Sequence, residues 1–441
     1  MKNPGNLKQA IIELKNDQNN AVAHLFENAK LNSQGELSNC VFTIKDNYAD
    51  TDVYAKASSL ILNNFKPQYK ATIVKLLEEQ GATCVARTHL DEFGLGGSGE
   101  YSAFGLIRNP INPEYLVGGS SSGAAATFSQ NISFAIGSDT GDSVRKPASN
   151  IGKVGFKPSY GAISRYGLFA FASSLDTVAY FTHNVADSIK LSSCLYKQDL
   201  EHDLTSVDLA FDYKNIIERK PKKVIYFKTD NFINNEVKQR YDQLINKLKN
   251  EGIDVVEVVP DPKIITAIDV VYKIISFSEA SSNLANLVGT NFGTRIEKEN
   301  WVDTYIATRS SGLGKMVQSR LILGSLFLEQ ENQIKYFVKA KKMRRYIVNY
   351  FKEIHRQCDL LIFPASNDCA PKFNEVTTKS IWDFILTGAN LSGNPSMTIK
   401  LGNKSNSNMP FNLALETDLY QDQSLFSYAL YIEKIIGGLN E

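Results

Sequence analysis

Three segments of the sequence repeat one order of local signals, and this repetition constrains the fold more than any other feature. In residues 71–88, 237–259 and 344–364, apolar residues at helical spacing are followed by a polar or glycine-containing turn and then by a short β-rich run. Helices that alternate with strands in this way are typical of α/β proteins. We therefore expect a large mixed, mostly parallel-type sheet covered by helices on both faces.

Composition argues against several classes of function. The 48 Lys and Arg residues balance 47 Asp and Glu residues, so the net charge of +1 gives no global reason to expect nucleic acid or an anionic membrane as a direct ligand. No run approaches the roughly 20 apolar residues of a membrane span, and the N-terminal residues do not resemble a signal peptide, so we expect a cytoplasmic protein. Five cysteines without CxxC spacing and five histidines without HExxH predict reduced thiols and no metal.

A basic run at residues 335–345, "KYFVKAKKMRR", has two interpretations. It is either a contact surface for RNA or another partner, or the solvated face of a helix over a buried apolar stripe. We favour the solvated face because charge runs are usually of that kind.

Hydroxyl side chains are concentrated in two turns, each of which borders an apolar segment. Residues 117–129, "VGGSSSGAAATFS", place three consecutive serines before a helix-forming alanine run, and residues 134–149, "FAIGSDTGDSVRKPAS", present Ser143 after a β-run. Turns at one edge of an α/β sheet are where such proteins form their sites. A serine nucleophile needs a base, and no histidine lies near either turn in the sequence. Lys45, at the end of the β-run in "CVFTIKDN", can serve instead, because desolvation lowers the pKa of a lysine.

Each motif alone has a simpler explanation. Lys45 alone is typical of a charged strand end, "GGSSSG" of a loop or helix N-terminus, and Ser143 of a turn cap. A nucleotide-binding P-loop is a weak rival because the GK[ST] ending is missing. The three motifs together favour a catalytic site.

Taken together, "IKDN", "GGSSSG" and "GSDTGDSVRKPAS" resemble the motifs of the amidase signature enzymes, over nearly the whole chain. That family uses a triad of Ser, a second Ser in a cis peptide, and Lys. The resemblance implies that Lys45 is the base, Ser120 the bridging serine and Ser143 the nucleophile. The family's usual GGSSGGS is "GGSSSGA" here, which leaves Ser121 open as an alternative cis residue. It also implies a single amidase domain over residues 1–441, with a possible surface boundary near 205–222.

Residues 88–112, 152–188 and 277–293 resemble one branch of that family, the A subunits of bacterial tRNA-dependent amidotransferases. The resemblance implies that the chain hydrolyses glutamine and supplies ammonia for the conversion of Glu-tRNA(Gln), or Asp-tRNA(Asn), to the amide. It implies B and C subunits as partners, with the misacylated tRNA bound mainly by the B subunit. It implies no cofactor in this chain, because ATP and Mg are used by the B subunit.

The same resemblance assigns substrate contacts. Tyr272 would orient glutamine, Arg320 would bind its α-carboxylate bidentately, and Asp383 would accept hydrogen bonds from its α-ammonium. Without the resemblance, these residues are typical of a half-buried helix aromatic, a surface charge and a helix or turn cap.

Backbone N–H groups of the nucleophile turn form the expected oxyanion hole. The turn comprises Thr140, Gly141, Asp142 and Ser143, and Asp142 stands where the family has its second glycine. An anion beside the hole would oppose formation of the oxyanion. Two alternatives therefore stay open: a stand-alone hydrolase of another small amide, and a catalytically weakened scaffold subunit.

Overall fold

An 11-stranded sheet forms the centre of the molecule in a computed structural model that describes residues 1–229, 232–375 and 380–439. In chain order the strands are β1 (Val22–Leu25), β2 (Val41–Lys45), β3 (Thr83–Thr88), β4 (Phe134–Asp139), β5 (Val154–Lys157), β6 (Thr177–Thr182), β7 (Lys223–Phe227), β8 (Asp254–Val258), β9 (Leu360–Pro364), β10 (Ser396–Asn403) and β11 (Pro410–Glu416). Their order across the sheet is β1-β3-β2-β4-β6-β5-β10-β11-β9-β7-β8.

The helices were predicted in alternation with these strands, and they cover the sheet. They are α1 (Leu7–Lys15), α2 (Thr72–Glu79), α3 (Ser122–Ala126), α4 (Arg145–Asn150), α5 (Val185–Leu195), α6 (Asn235–Asn250), α7 (Pro262–Asn283), α8 (Trp301–Gly312), α9 (Lys315–Leu328), α10 (Gln330–Gln333), α11 (Lys339–His355), α12 (Gly388–Ser392) and α13 (Asp422–Gly437). A π-helical turn, Ile334–Val338, joins α10 to α11, and short 3-10 helices lie at Leu60–Leu62, Glu92–Gly94, Tyr213–Asn215 and Ile381–Thr387.

The three predicted helix–strand units are confirmed. They are α2 with β3, α6 with β8, and α11 with β9, and the last strand ends at Pro364 as expected. Glycine closes the first two helices because Gly81 and Gly252 have φ values of 81° and 77°, a conformation that other residues adopt less readily.

The α/β class and the mixed sheet are confirmed, but the expectation of a mostly parallel sheet is wrong. Among the strand pairs that the structure describes, four are parallel and six antiparallel. The predicted units reach only the parallel flanks of the sheet. In the centre, strands such as β5 and β6, or β10 and β11, are neighbours in sequence and pair directly, and such connections need no crossover helix.

The central strands are buried along their whole length. Every residue of β2, β4, β6 and β9 is buried, because helices cover both faces of this part of the sheet. Strand ends in this region therefore lie in a dry environment, and β2 ends at Lys45.

The segment 205–222 connects α5 to β7, and β7 pairs with β9 in the same sheet. This pairing supports the interpretation of the segment as a surface loop within one domain, which stays a prediction.

The basic run begins in the π-helical turn and continues into α11, whose opposite face is buried at Ala340, Ile347 and Phe351. Arg344 donates from Nε to the Leu391 carbonyl at 2.7 Å, and Lys341 Nζ lies 3.2 Å from Glu279 Oε1. These contacts agree with the solvated-face interpretation.

The five cysteines are free; Cys40 is buried and the other four are half-buried. Across the described residues, no helix combines the length and apolarity that crossing a membrane requires.

The aromatic pair between β2 and β4 gives a test of the core. Phe134 is fully buried, and its ring stacks on Phe42 with 5.2 Å between centroids. We predict that Phe134→Ala lowers the free energy of unfolding by about 3–5 kcal/mol, because it removes buried contacts and leaves a cavity. Chemical denaturation followed by circular dichroism measures the change. Tyr346→Ala, at a side chain that is 66% exposed, is the control and should change stability by less than about 0.5 kcal/mol; equal effects would contradict this description of the core.

Candidate active site

Lys45 is a fully buried lysine at the end of the central strand β2. Its Nζ lies 2.7 Å from Ser120 Oγ and 2.9 Å from Ser138 Oγ. Ser138 Oγ also accepts a hydrogen bond from Asn47 Nδ2 at 3.1 Å. The amine is thus held among neutral hydroxyl groups at a position that side chains on both neighbouring turns can reach.

Burial lowers the pKa of Lys45 from its usual value to about 7. The carboxylates of Asp91, Asp139 and Asp176 act in the opposite direction but do not cancel the cost of desolvation. The uncharged amine is therefore accessible near neutral pH, which a general base requires.

The two candidate serines of the first turn have different positions. The peptide bond between Gly119 and Ser120 is cis, and the Ser120 hydroxyl is the one beside Lys45. Ser121 instead donates from Oγ to the Ser138 carbonyl at 3.1 Å. The geometry of the cis residue therefore belongs to Ser120.

Ser143 lies in the turn between β4 and α4 and is 5% exposed. Its carbonyl oxygen accepts a hydrogen bond from the Ser121 N–H at 3.1 Å, which ties the two hydroxyl turns together. Within the described part of the chain, no hydrogen bond joins the Ser143 hydroxyl to Ser120 or Lys45. The structure thus brings the turns together through the backbone, while the hydroxyl of Ser143 is not yet part of the Lys45–Ser120 contact.

The nucleophile turn presents backbone donors. The N–H groups of Gly141, Asp142 and Ser143 have no acceptor among the residues that the structure describes. Thr140, the fourth predicted member, uses its hydroxyl to donate to Asp176 Oδ1 at 2.7 Å. Successive free N–H groups beside a buried serine suit stabilisation of a developing negative charge.

A buried ion pair fixes this turn. Arg145 and Asp139 are both fully buried, with 3.0 Å between Nη2 and Oδ1. Arg145 also donates from Nη2 to the Gly141 carbonyl at 2.8 Å, and Val144 N–H donates to Asp139 Oδ2 at 3.0 Å. The turn is therefore held at both ends through its backbone.

Asp142 is half-buried, and no hydrogen-bond partner of its carboxyl group occurs among the described residues. Burial raises its pKa to about 6; Lys146 acts against this shift and Asp383 adds to it. The carboxyl group is therefore a weaker acid than usual and still mostly charged above that pH.

Tyr272, in α7, packs directly on the nucleophile turn. A Cβ at Gly141 would lie 3.1 Å from the ring carbon Cζ of Tyr272, so only glycine allows this approach without displacement. Burial raises the pKa of the Tyr272 hydroxyl, whereas Arg320 acts to lower it. Tyr272 is thus placed between the turn and the guanidinium group.

Arg320, in α9, is half-buried, and its guanidinium carbon lies 5.1 Å from the centroid of the Phe277 ring. No carboxylate in the described ranges forms an ion pair with it. Asp383 lies in the 3-10 helix Ile381–Thr387 and accepts a hydrogen bond from Ser380 N–H at 2.9 Å. Asp383 therefore acts as a helix cap, and it is also close enough to Asp142 to influence its pKa.

Sequence reasoning missed the groups that hold the site from outside. Ser138 contacts the Lys45 amine, and Asp176 accepts hydrogen bonds from Thr140 Oγ1 and from the N–H groups of Phe171 and Ala172. Ser138 stands inside a quoted motif, so its hydroxyl was a usable signal. Asp176 carries no local signal, because it meets Thr140 only in the folded chain.

Among the residues that the structure describes, no group of three or more His, Cys, Asp or Glu side chains is arranged so that it could hold a metal ion.

Comparisons with known proteins identify the class. Residues 6–426 match the family model described as Amidase, so the chain belongs to the amidase family, as its motifs predicted, and that family is one of enzymes.

The individual relatives narrow the comparison. The chain is 36% identical to the A subunit of glutamyl-tRNA(Gln) amidotransferase from Sulfurimonas denitrificans, over 98% of each chain. It is 33% identical to the A subunit of the same enzyme from Mycoplasma genitalium, over 97% of this chain and 93% of the relative. The crystal structure of the corresponding A subunit from Thermotoga maritima has a TM-score of 0.81 and 31% identity, over 97% of this chain and 90% of the other. The predicted resemblance to the A subunits is thus confirmed.

The buried amine provides a test that does not depend on activity. An unfolded lysine keeps its proton to about pH 10.4, whereas the Lys45 amine in the folded chain loses it near pH 7. Because the unfolded state binds more protons between these values, the contribution of Lys45 makes stability rise with pH. We predict that the wild type gains stability relative to Lys45→Met across pH 7–10, by up to about 1.4 kcal/mol per pH unit.

Denaturant unfolding of both proteins at several pH values measures this difference. Lys157 is also buried with a pKa lowered to about 7, but it is present in both proteins and cancels. Parallel stability curves would show that Lys45 is not desolvated.

Proposed function

We propose that this chain is the glutamine-hydrolysing subunit of a tRNA-dependent amidotransferase and that Lys45, Ser120 and Ser143 form its catalytic triad. The observation that carries the proposal is the fully buried Lys45 amine, 2.7 Å from the hydroxyl of a serine that follows a cis peptide bond. The nucleophile turn with its free N–H groups lies next to this pair. The names of the relatives supply the amidotransferase context.

In the proposed acylation step, the Ser143 hydroxyl turns toward Ser120 and attacks the carbon of the glutamine side-chain amide. The proton of Ser143 passes to Ser120 Oγ while the proton of Ser120 passes to the Lys45 amine. Charge develops on the amide oxygen, where the N–H groups of Gly141, Asp142 and Ser143 stabilise it. Thr140 contributes by holding the turn through Asp176.

Collapse of the tetrahedral intermediate breaks the carbon–nitrogen bond. Lys45 returns its proton through Ser120 to the departing nitrogen, so ammonia leaves and a glutamyl ester remains on Ser143. Water then attacks the ester, the Lys45–Ser120 pair again accepts and returns the proton, and glutamate is released with Ser143 restored.

Substrate recognition follows from the free charges near the turn. Arg320 binds the α-carboxylate of glutamine, Asp383 and its neighbourhood attract the α-ammonium, and Tyr272 orients the chain between them. An uncharged small amide would use none of these charges, which favours glutamine over the substrate of a stand-alone hydrolase.

The partners follow from the names of the relatives. In the role of the A subunit, this chain would pass ammonia to a B subunit, which uses ATP and Mg to activate Glu-tRNA(Gln) or Asp-tRNA(Asn), with a C subunit in the same assembly. The misacylated tRNA would be bound mainly by the B subunit.

Asp142 favours one rival, a weakened scaffold subunit, because its carboxyl group lies in the oxyanion turn. The proposal and this rival differ in one variant. We predict that Ser143→Ala lowers ammonia release from glutamine by at least about 10³-fold in the complete assembly with the B and C subunits, ATP and glutamylated tRNA, because the nucleophile is lost.

Ser33→Ala, at an exposed serine, is the matched control and should keep full activity. Full glutamine-dependent amide formation by the Ser143→Ala assembly would support the scaffold and overturn the proposal.

The protonation state of Lys45 predicts the pH profile. Below its pKa of about 7 the amine is charged and cannot accept a proton. We expect kcat/KM for glutamine to rise about tenfold per pH unit below pH 7 and to level off above it. Initial rates between pH 5.5 and 9 check this, and Lys45→Arg, which stays charged, should be inactive throughout. A rate that falls from pH 6 to 8 would contradict the role of Lys45.

A further inference from the structure

Glu92 is a buried carboxyl group on one wall of the candidate site. It lies in the 3-10 helix Glu92–Gly94 and is 1% exposed. The Asp91 N–H donates to the Ser120 carbonyl at 3.3 Å, and a Cβ at Gly94 would lie 3.5 Å from Ser120 Oγ. The backbone on both sides of Glu92 therefore touches the bridging serine.

The side chain of Glu92 points to a different part of the fold. Its Oε2 accepts a hydrogen bond from the Gly314 N–H at 2.8 Å, and its Oε1 accepts one from the Ser59 hydroxyl. Ser59 Oγ also lies 3.2 Å from the Gly312 carbonyl. Glu92 and Ser59 together hold the connection between α8 and α9.

Gly314 is the N-cap residue of α9, and it has no side chain to accept a hydrogen bond from the first turn of the helix. The Glu92 carboxyl group thus binds the start of this helix from outside, where a negative charge also interacts favourably with the helix dipole. Arg320 lies in the second turn of the same helix. The carboxyl group is therefore a direct link between the wall at Ser120 and the helix that carries Arg320.

We propose that Glu92 is a positioning residue that sets the affinity for the substrate α-carboxylate by fixing the start of α9 relative to the Ser120 wall. This inference rests on the proposed function, since it takes Arg320 as the carboxylate-binding group. Glu92 contacts neither the triad hydroxyls nor Arg320 through its side chain, so its effect reaches the substrate only through the position of the helix.

The chemistry of the contacts predicts which substitutions are tolerated. In Glu92→Gln, the amide oxygen can still accept from Gly314 N–H, and the amide nitrogen can donate to Ser59 Oγ. Glu92→Leu has a similar size but can make neither hydrogen bond, and it leaves the Gly314 N–H without an acceptor.

The experiment compares two substrates in the assembled enzyme. Glutamine carries the α-carboxylate, and 4-aminobutanamide is the same molecule without it. We expect Glu92→Leu to raise KM for glutamine about tenfold or more, with kcat changed less than about threefold. Its kcat/KM for 4-aminobutanamide should stay within about threefold of the wild type. Glu92→Gln should restore KM for glutamine.

Two controls separate position from folding. Glu79→Leu, at an exposed glutamate in α2, should leave both substrates unaffected. If Glu92→Leu does not fold, Ser59→Ala removes one of the two contacts and should raise KM for glutamine in the same direction by less. An unchanged KM for glutamine, or an equal loss for both amides, overturns the inference.

A second readout does not require glutamine. In chain labelled with ¹⁵N-glycine, hydrogen exchange of the Gly314 amide should be slow in the wild type and in Glu92→Gln but faster in Glu92→Leu. Gly314→Ala assigns the signal. Unchanged exchange overturns the inference, whereas a wild-type assembly that releases no ammonia from glutamine overturns the proposed function instead.

Discussion

The buried guanidinium group of Arg145 joins parts of the chain that are far apart in sequence. Besides Asp139 and the Gly141 carbonyl, it donates to the Leu386 carbonyl at 2.7 Å, to Asn390 Oδ1 at 2.6 Å and to Ser396 Oγ at 3.0 Å. A buried arginine without such partners would be strongly destabilising, so the five acceptors and the guanidinium group depend on each other. This network connects the nucleophile turn to the 3-10 helix of Asp383, and the site can exist only where both are present.

A second constraint is the dry environment of Lys45. The strand that carries it is buried on both sides, and its nearest partners, Ser120 and Ser138, are uncharged. Three carboxylates act on the amine from a distance, but burial has the largest effect on its pKa. The sheet thus does more than support the triad, because its burial makes the amine available as a base.

The parts of this structure that the sequence predicts are those with local signals. Helical spacing followed by a β-run identified α2 with β3, α6 with β8, and α11 with β9, and hydroxyl-rich turns identified the neighbourhood of Lys45. The antiparallel centre of the sheet was missed because pairing partners such as β4 and β6 have no matching local pattern. Glu92 and Asp176 were missed for a related reason. Their partners, Gly314 and Thr140, are distant in sequence, and an isolated acidic residue in a loop resembles any solvated one.

The unusual residue of the turn, Asp142, has a consequence for the choice of substrate. Its carboxyl group loses its proton near pH 6, whereas the Lys45 amine becomes uncharged only above about pH 7. When Lys45 can act as a base, Asp142 is therefore negatively charged beside the N–H groups that must stabilise an oxyanion. Lys146 offsets part of this charge, and the nearby Asp383 adds to it. A substrate that brings its own positive charge to these two carboxylates reduces the conflict, and a neutral amide does not. The electrostatics of the turn thus favour an amino acid such as glutamine for the same reason that they disfavour an uncharged amide.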